Sequence, residues 1–265
     1  MRLLIAGAAL AMGIASRLSA QIVPADRAVP RTDANSRVAH EQLLAKRTQG
    51  KIDIYFEGDS ITRRWGAIDY PQFLDNWKKN FFGWNAADFG WGADRVENIL
   101  WRIENGELDD VNPKAIVLLA GANNVGNKVP ADGVEAAATN IATGLEVVVR
   151  AMRAKAPNAT IILMGIFPRN DNMDVMPEIN LINASLAKFA DGSKTRYLNI
   201  NSKLADPDGK LHDGMMNERD KLHPMLGGYQ VWADALKPIF AELLGPPASE
   251  DHAPPPTGDP SAAKR

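Results

Sequence analysis

Alternation constrains the fold of this chain more than any other feature. Short apolar or β-branched runs occur at residues 52–56, 86–89, 115–119, 160–164 and 196–200. Between them the apolar residues change period. Val96, Ile99, Leu100 and Ile103 recur at helical spacing, as do Val134, Ala138, Ile141, Leu145, Val148 and Met152. Ile179, Ile182, Leu186 and Phe189 make a third stripe, and Tyr229, Trp232, Leu236, Ile239 and Leu243 a fourth. Runs of four or five residues are strand length, whereas stripes recurring every three or four positions mark the buried face of a helix. Apolar strands interleaved with helices imply the α/β class: a three-layer α/β/α sandwich around a five-stranded parallel sheet. In such sheets ligands bind beyond the carboxyl ends of the strands, so the residues just after each run are where chemistry is to be sought.

The two ends of the chain read differently. Met1-Arg2, an apolar run over 3–15 and the small-residue exit Leu18-Ser19-Ala20 have the form of a signal peptide over 1–20. The run is shorter than the roughly 20 residues that span a bilayer. The expectation is a secreted or periplasmic protein with no membrane span once mature. A polar lead-in over 21–38 then enters a single domain over 39–245. The last stretch, 246–265, is rich in Pro, Ala and charge with few large apolar groups, and is expected to be a disordered tail.

Composition excludes several chemistries. The net charge is −2, without a Lys/Arg cluster, so no nucleic acid partner is implied. The chain has no cysteine, hence no disulfide, thiolate nucleophile or Cys-ligated metal. Its four histidines are His40, His212, His223 and His252, too few and too scattered for a metal site. No metal or other cofactor is expected.

Four segments next to the runs carry candidate chemistry. After the first comes Glu57-Gly58-Asp59-Ser60, where a serine in a strand-to-helix turn exposes its hydroxyl. Asp59 or Ser60 could equally serve as an ordinary helix cap. After the second comes Phe89-Gly90-Trp91-Gly92-Ala93-Asp94, whose small residues let backbone N–H groups approach a ligand or simply make a turn. After the third comes Gly121-Ala122-Asn123-Asn124, with amide donors suited to an oxyanion, although Asn favours turns in its own right. Before the last helix stands Asp220-Lys221-Leu222-His223, in which a carboxylate could fix the tautomer of a histidine base. His212-Asp213 is the rival pair, in a polar stretch, and His40 is expected at the surface.

Taken together, these segments are recognisable. Gly58-Asp59-Ser60, Gly121-Ala122-Asn123-Asn124 and Asp220-x-x-His223 resemble the first, third and closing blocks of the GDSL/SGNH hydrolases. Leu100-Trp101-Arg102-Ile103-Glu104-Asn105-Gly106-Glu107-Leu108, Pro113-Lys114 and Gly165-Ile166-Phe167-Pro168-Arg169 are similar to the branch containing platelet-activating-factor acetylhydrolase catalytic subunits. The resemblance implies the flavodoxin-like SGNH hydrolase fold over 39–245. It implies a serine esterase with Ser60 as nucleophile, His223 as base and Asp220 as its orienting partner. The oxyanion would be held by the N–H groups of Ser60 and Ala93 and by the Asn123 side chain. Two positions depart from the family pattern: Ala93 stands where Gly is usual, and Ala122 where Thr is.

The substrate implied is a short, acetyl-type ester, and Trp65 and Trp91, expected in loops flanking the site, would suit an acetylated saccharide. A lysophospholipase or thioesterase of the same family, or a non-catalytic carbohydrate-binding module, are the competing expectations.

Overall fold

The computed structural model describes residues 23–131 and 133–260. The proposed signal peptide over 1–20 lies outside the described residues. In chain order the elements are α1 (Ala34–Lys46), β1 (Ile54–Gly58), α2 (Ser60–Gly66), α3 (Pro71–Phe81), β2 (Ala86–Asp88), α4 (Val96–Arg102), β3 (Ala115–Leu119), α5 (Ala122–Val125), α6 (Val134–Lys155), β4 (Thr160–Met164), α7 (Met176–Phe189), β5 (Thr195–Leu198), α8 (Asn201–Leu204) and α9 (Leu226–Leu244). A π-turn over Ile103–Glu107 continues α4.

The five strands form one parallel sheet in the order β2-β1-β3-β4-β5. Every residue of β1, β3 and β4 is buried, as a sheet covered on both faces requires. One helical layer packs α4 against α6 and α6 against α7; the other packs α2 and α9 against α3. The α/β sandwich expected from the alternation is therefore the fold observed. Because β1 lies between β2 and β3, the turns after β1, β2 and β3 lie side by side at one sheet edge.

An aromatic core fills the space between the sheet and α2, α3 and α9. Phe56 packs on Trp77 at 4.7 Å and on Phe81 at 5.2 Å between ring centroids, and Trp65 stacks on Tyr229 at 4.9 Å. Trp65 is wholly buried and Trp91 is 9% exposed. Neither is the exposed loop platform expected from the sequence: Trp65 faces inward from α2, and its indole is part of the core.

Three other expectations change. The lead-in is already structured, because α1 starts at Ala34 behind an Asp33 cap that accepts the Ser36 N–H. His40, on that helix, is only partly at the surface; its side chain is 16% exposed and bonded to Glu107. The segment 246–260 is not a disordered tail either. The Ala248 N–H donates to the Gly83 carbonyl at 2.9 Å, and Lys51 N–H to the His252 carbonyl at 2.7 Å. Thr257 donates to the Gly66 carbonyl at 3.1 Å and accepts from Ile68 N–H at 3.0 Å. The strap succeeds without large apolar groups because its prolines already restrict the backbone, and main-chain groups of neighbouring loops supply partners. Among the described residues no helix is long and apolar enough to cross a membrane.

Candidate active site

The site begins where β1 stops. A methyl group on Gly58 would lie 2.2 Å from Thr62 Oγ1 and 2.4 Å from the Leu119 carbonyl oxygen. Only glycine lets α2 start directly against the end of β3. Asp59 caps α2, its carboxylate accepting the Ile61 N–H at 2.9 Å. Burial raises the Asp59 carboxyl to about 7 despite that bond. With Asp59 as cap, Ser60 is left as the first helical residue, its side chain free of capping duty.

The Ser60 hydroxyl lies 2.9 Å from His223 Nε2, and His223 Nδ1 lies 2.9 Å from Asp220 Oδ2. A tautomer with Nδ1–H donating to the carboxylate would leave Nε2 as acceptor toward the Ser60 hydroxyl. The loop carrying this pair is held by Asn217. Its side-chain oxygen accepts the N–H groups of Arg219 at 2.9 Å and Asp220 at 3.2 Å, and its own N–H donates to the His223 carbonyl at 2.8 Å. Asp220 Oδ1 in turn accepts from Leu222 and His223 N–H, each at 3.0 Å. Lys221 takes a left-handed conformation to make this turn, with φ +48°.

The electrostatics favour a neutral imidazole beside an ionised carboxylate. Burial, reinforced by the nearby Arg64 guanidinium, lowers the His223 pKa below its ordinary value. For Asp220 partial burial works upward, but the N–H groups of His223 and Leu222 outweigh it and bring the carboxyl below the usual range. His212, the rival base, instead lines a cleft with Asn201, Asp206 and Pro168.

The second and third turns meet at Asn123. One side-chain N–H donates to the Asp94 carbonyl at 2.8 Å; Asp59 Oδ2 lies at 3.4 Å, beyond ordinary N–H···O range. Asn124 is turned elsewhere: it accepts the Val96 N–H at 2.9 Å and donates to Glu97 at 2.8 Å, fixing the start of α4. The paired amides of the sequence thus divide into one at the site and one beneath it. Ala93 adopts φ +63°, which for a residue with a Cβ costs about 1 kcal/mol.

Two cationic groups near the histidine were not singled out as site residues. Arg169 donates to the Ala122 carbonyl at 3.1 Å and forks onto Asp171. Arg64 Nη1 sits 3.7 Å from Asp220 Oδ2. The spacing held a signal for Arg64, since a residue four after Ser60 shares its helix face.

Comparison with known proteins bears on the family and the fold. The model of the GDSL-like Lipase/Acylhydrolase family matches residues 56–231. Platelet-activating factor acetylhydrolase IB subunit alpha2 of Rattus norvegicus is 31% identical over 212 residues, covering 77% of this chain and 83% of that protein. Among solved structures, a GDSL-like lipase from Bacteroides thetaiotaomicron superposes with a TM-score of 0.56 at 20% identity, over 79% of this chain and 98% of that one. A carbohydrate esterase family 3 protein from Talaromyces cellulolyticus gives 0.50 at 17% identity, over 72% and 97%. With its sheet order and a family match over residues 56–231, most of its length, the chain belongs to the GDSL-like lipase/acylhydrolase family.

Proposed function

We propose that this protein is a serine esterase that hydrolyses short-chain esters, foremost acetyl esters, through an acyl-enzyme on Ser60. The observation that carries the reading is the continuous pair of 2.9 Å contacts from Ser60 to His223 and from His223 to Asp220. His223 Nε2 takes the hydroxyl proton as Ser60 Oγ attacks the ester carbonyl, and Asp220 stabilises the imidazolium so formed. The imidazolium then protonates the departing alkoxide, leaving an acetyl-serine. Water, deprotonated by His223, attacks that ester and releases acetate.

The oxyanion of each tetrahedral intermediate is assigned to the N–H groups of Ser60 and Ala93 and to Asn123. The Ser60 N–H begins a helix and so has no partner within it. Each donor is worth on the order of 3 kcal/mol of barrier. Acetyl is favoured as the acyl group because the relatives more than 30% identical are acetylhydrolases by name. Burial of Trp65 removes the aromatic face that favoured a saccharide alcohol, so the proposal fixes the acyl half and leaves the alcohol to a substrate panel.

The test is hydrolysis of p-nitrophenyl acetate through decanoate, with Ser60→Ala in parallel, followed by acetylated oligosaccharides and lysophospholipids. Activity falling steeply above butyrate and absent from Ser60→Ala is the expected result. Equal activity in Ser60→Ala, or a maximum at long chains, would sink the assignment.

A further inference from the structure

One buried guanidinium ties together the turns that bear the proposed nucleophile and oxyanion donors. Arg102 ends α4, and its side chain is 5% exposed. Its Nη2 donates to Glu57 at the end of β1 and lies 3.5 Å from the Gly58 carbonyl. Nη1 donates to the Phe89 carbonyl at 2.9 Å and to Glu107; Nε donates to Asp94 at 2.7 Å. Four acceptors within hydrogen-bond range, with the Gly58 carbonyl farther off, surround the five N–H bonds of a planar fork, an arrangement that lysine, with three donors on one atom, does not reproduce.

The connections continue outward from each partner. Glu57 also accepts the Gly58 N–H at 3.0 Å and the Tyr55 hydroxyl at 3.1 Å. The Asp94 carbonyl is the group that holds Asn123. Glu107 returns to Arg102 because the π-turn passes through Gly106 at φ +106°, and its second oxygen meets His40 Nδ1 at 2.6 Å. The carboxylates of Glu57, Asp94 and Glu107 are all wholly buried.

Such a cluster is a poor device for stability alone, since desolvating several charges costs about as much as their attraction returns. What it does supply is fixed geometry. The Ser60 turn is gripped through Glu57 and Gly58, the Ala93 turn through Phe89 and Asp94, and Asn123 through the Asp94 carbonyl. We propose that Arg102 is a positioning residue for the ester hydrolysis put forward above, setting the distance between the Ser60 hydroxyl and the oxyanion donors; the inference rests on that reading. It also gives a role to the Trp101-to-Glu107 segment, which the resemblance singled out and the triad does not use.

The experiment compares wild type, Arg102→Lys and Asp94→Asn for kcat and KM on p-nitrophenyl acetate, thermal midpoint, and rate of Ser60 labelling by a fluorophosphonate. A displaced oxyanion site lowers kcat on the order of 100-fold in Arg102→Lys and about tenfold in Asp94→Asn, while KM moves less than about threefold. Labelling, which also builds negative charge on oxygen, slows in parallel. A purely structural role lowers the midpoint but leaves kcat per labelled site unchanged, and that result overturns the proposal. If Arg102→Lys does not fold, the near-isosteric Asp94→Asn decides. An Asp94→Asn that also fails to fold overturns it too, because the clamp would then serve the fold and not the site. Wild type inert to both ester and fluorophosphonate refutes the esterase reading itself, a separate outcome.

Discussion

Arg64 follows Ser60 by one turn of α2, and its guanidinium lies 3.7 Å from the Asp220 carboxylate. It therefore sits beside the same carboxylate that orients His223, and opposes a second positive charge on that ring. Burial and Arg64 together hold the His223 pKa below its ordinary value. A general base must be neutral, so activity is expected to rise along an acidic limb whose midpoint lies below about 6.5. Replacing Arg64 with Met removes the second-largest of the lowering causes, leaving burial and the more weakly acting Arg169, and should move that limb to higher pH. A kcat/KM profile on p-nitrophenyl acetate checks this; a limb that stays in place means Arg64 does not act on His223.

Asp220 meets the imidazole through one oxygen, and its other oxygen holds the loop by accepting the main-chain N–H groups of Leu222 and His223. Asp220→Asn keeps the shape but allows the wrong tautomer, with Nδ1 as acceptor. The expected loss in kcat is on the order of 10³–10⁴-fold, with little change in KM. Steady-state kinetics that show less than a tenfold loss would remove Asp220 from the triad.

Stability should fall as pH rises from 5 to 8. Burial raises Asp88 to about 6 and Asp59 to about 7, and it pushes Glu57 up as well. Between their ordinary values and these, the folded chain retains protons that the unfolded chain has released, so each added pH unit favours unfolding. His223, with its lowered pKa, works the other way over the lower part of that window. Thermal melts across the range report the balance, and a midpoint that climbs steadily would contradict the expected dominance of the carboxyls.

The strap is anchored by a buried lysine. Lys46 Nζ donates to the Asp88 carbonyl at 2.7 Å and to Thr257 Oγ1 at 2.9 Å, and the Thr257 hydroxyl donates to the same carbonyl at 2.8 Å. Burial lowers the Lys46 pKa to about 8. Thr257→Val keeps the shape but leaves the ammonium short of an acceptor, at a cost of about 1–3 kcal/mol. Urea unfolding measures it; a change smaller than 0.5 kcal/mol, on that scale, would mean the hydroxyl is dispensable.

Much of the scaffold was legible in the residues. The runs at 115–119 and 160–164 coincide with β3 and β4, because both are wholly buried and end abruptly in polar or small residues. The last run is displaced by one to two positions, as befits an edge strand that is only partly buried. Helix α3 is absent from the four stripes read in the sequence, although Phe73, Leu74, Trp77 and Phe81 recur at helical spacing behind a starting proline. Ser60, Asp220 and His223 could be read because each follows or precedes an element at the same sheet edge. The Arg102 cluster could not. Its partners stand 45, 8 and 5 positions away, and an arginine among apolar neighbours gives no sign of which carboxylates it will meet. The strap misled for a related reason: composition counts apolar side chains, whereas this segment is held by its main chain.

The Ser60–His223 contact joins residues 163 positions apart. A growing polypeptide leaving the ribosome presents its serine long before the histidine exists. Until the closing loop is synthesised and folded onto the sheet, that hydroxyl is an ordinary alcohol with no base beside it. Under the proposed mechanism the nascent chain is thus chemically silent toward esters around it, and hydrolytic power arrives in one step with completion of the fold.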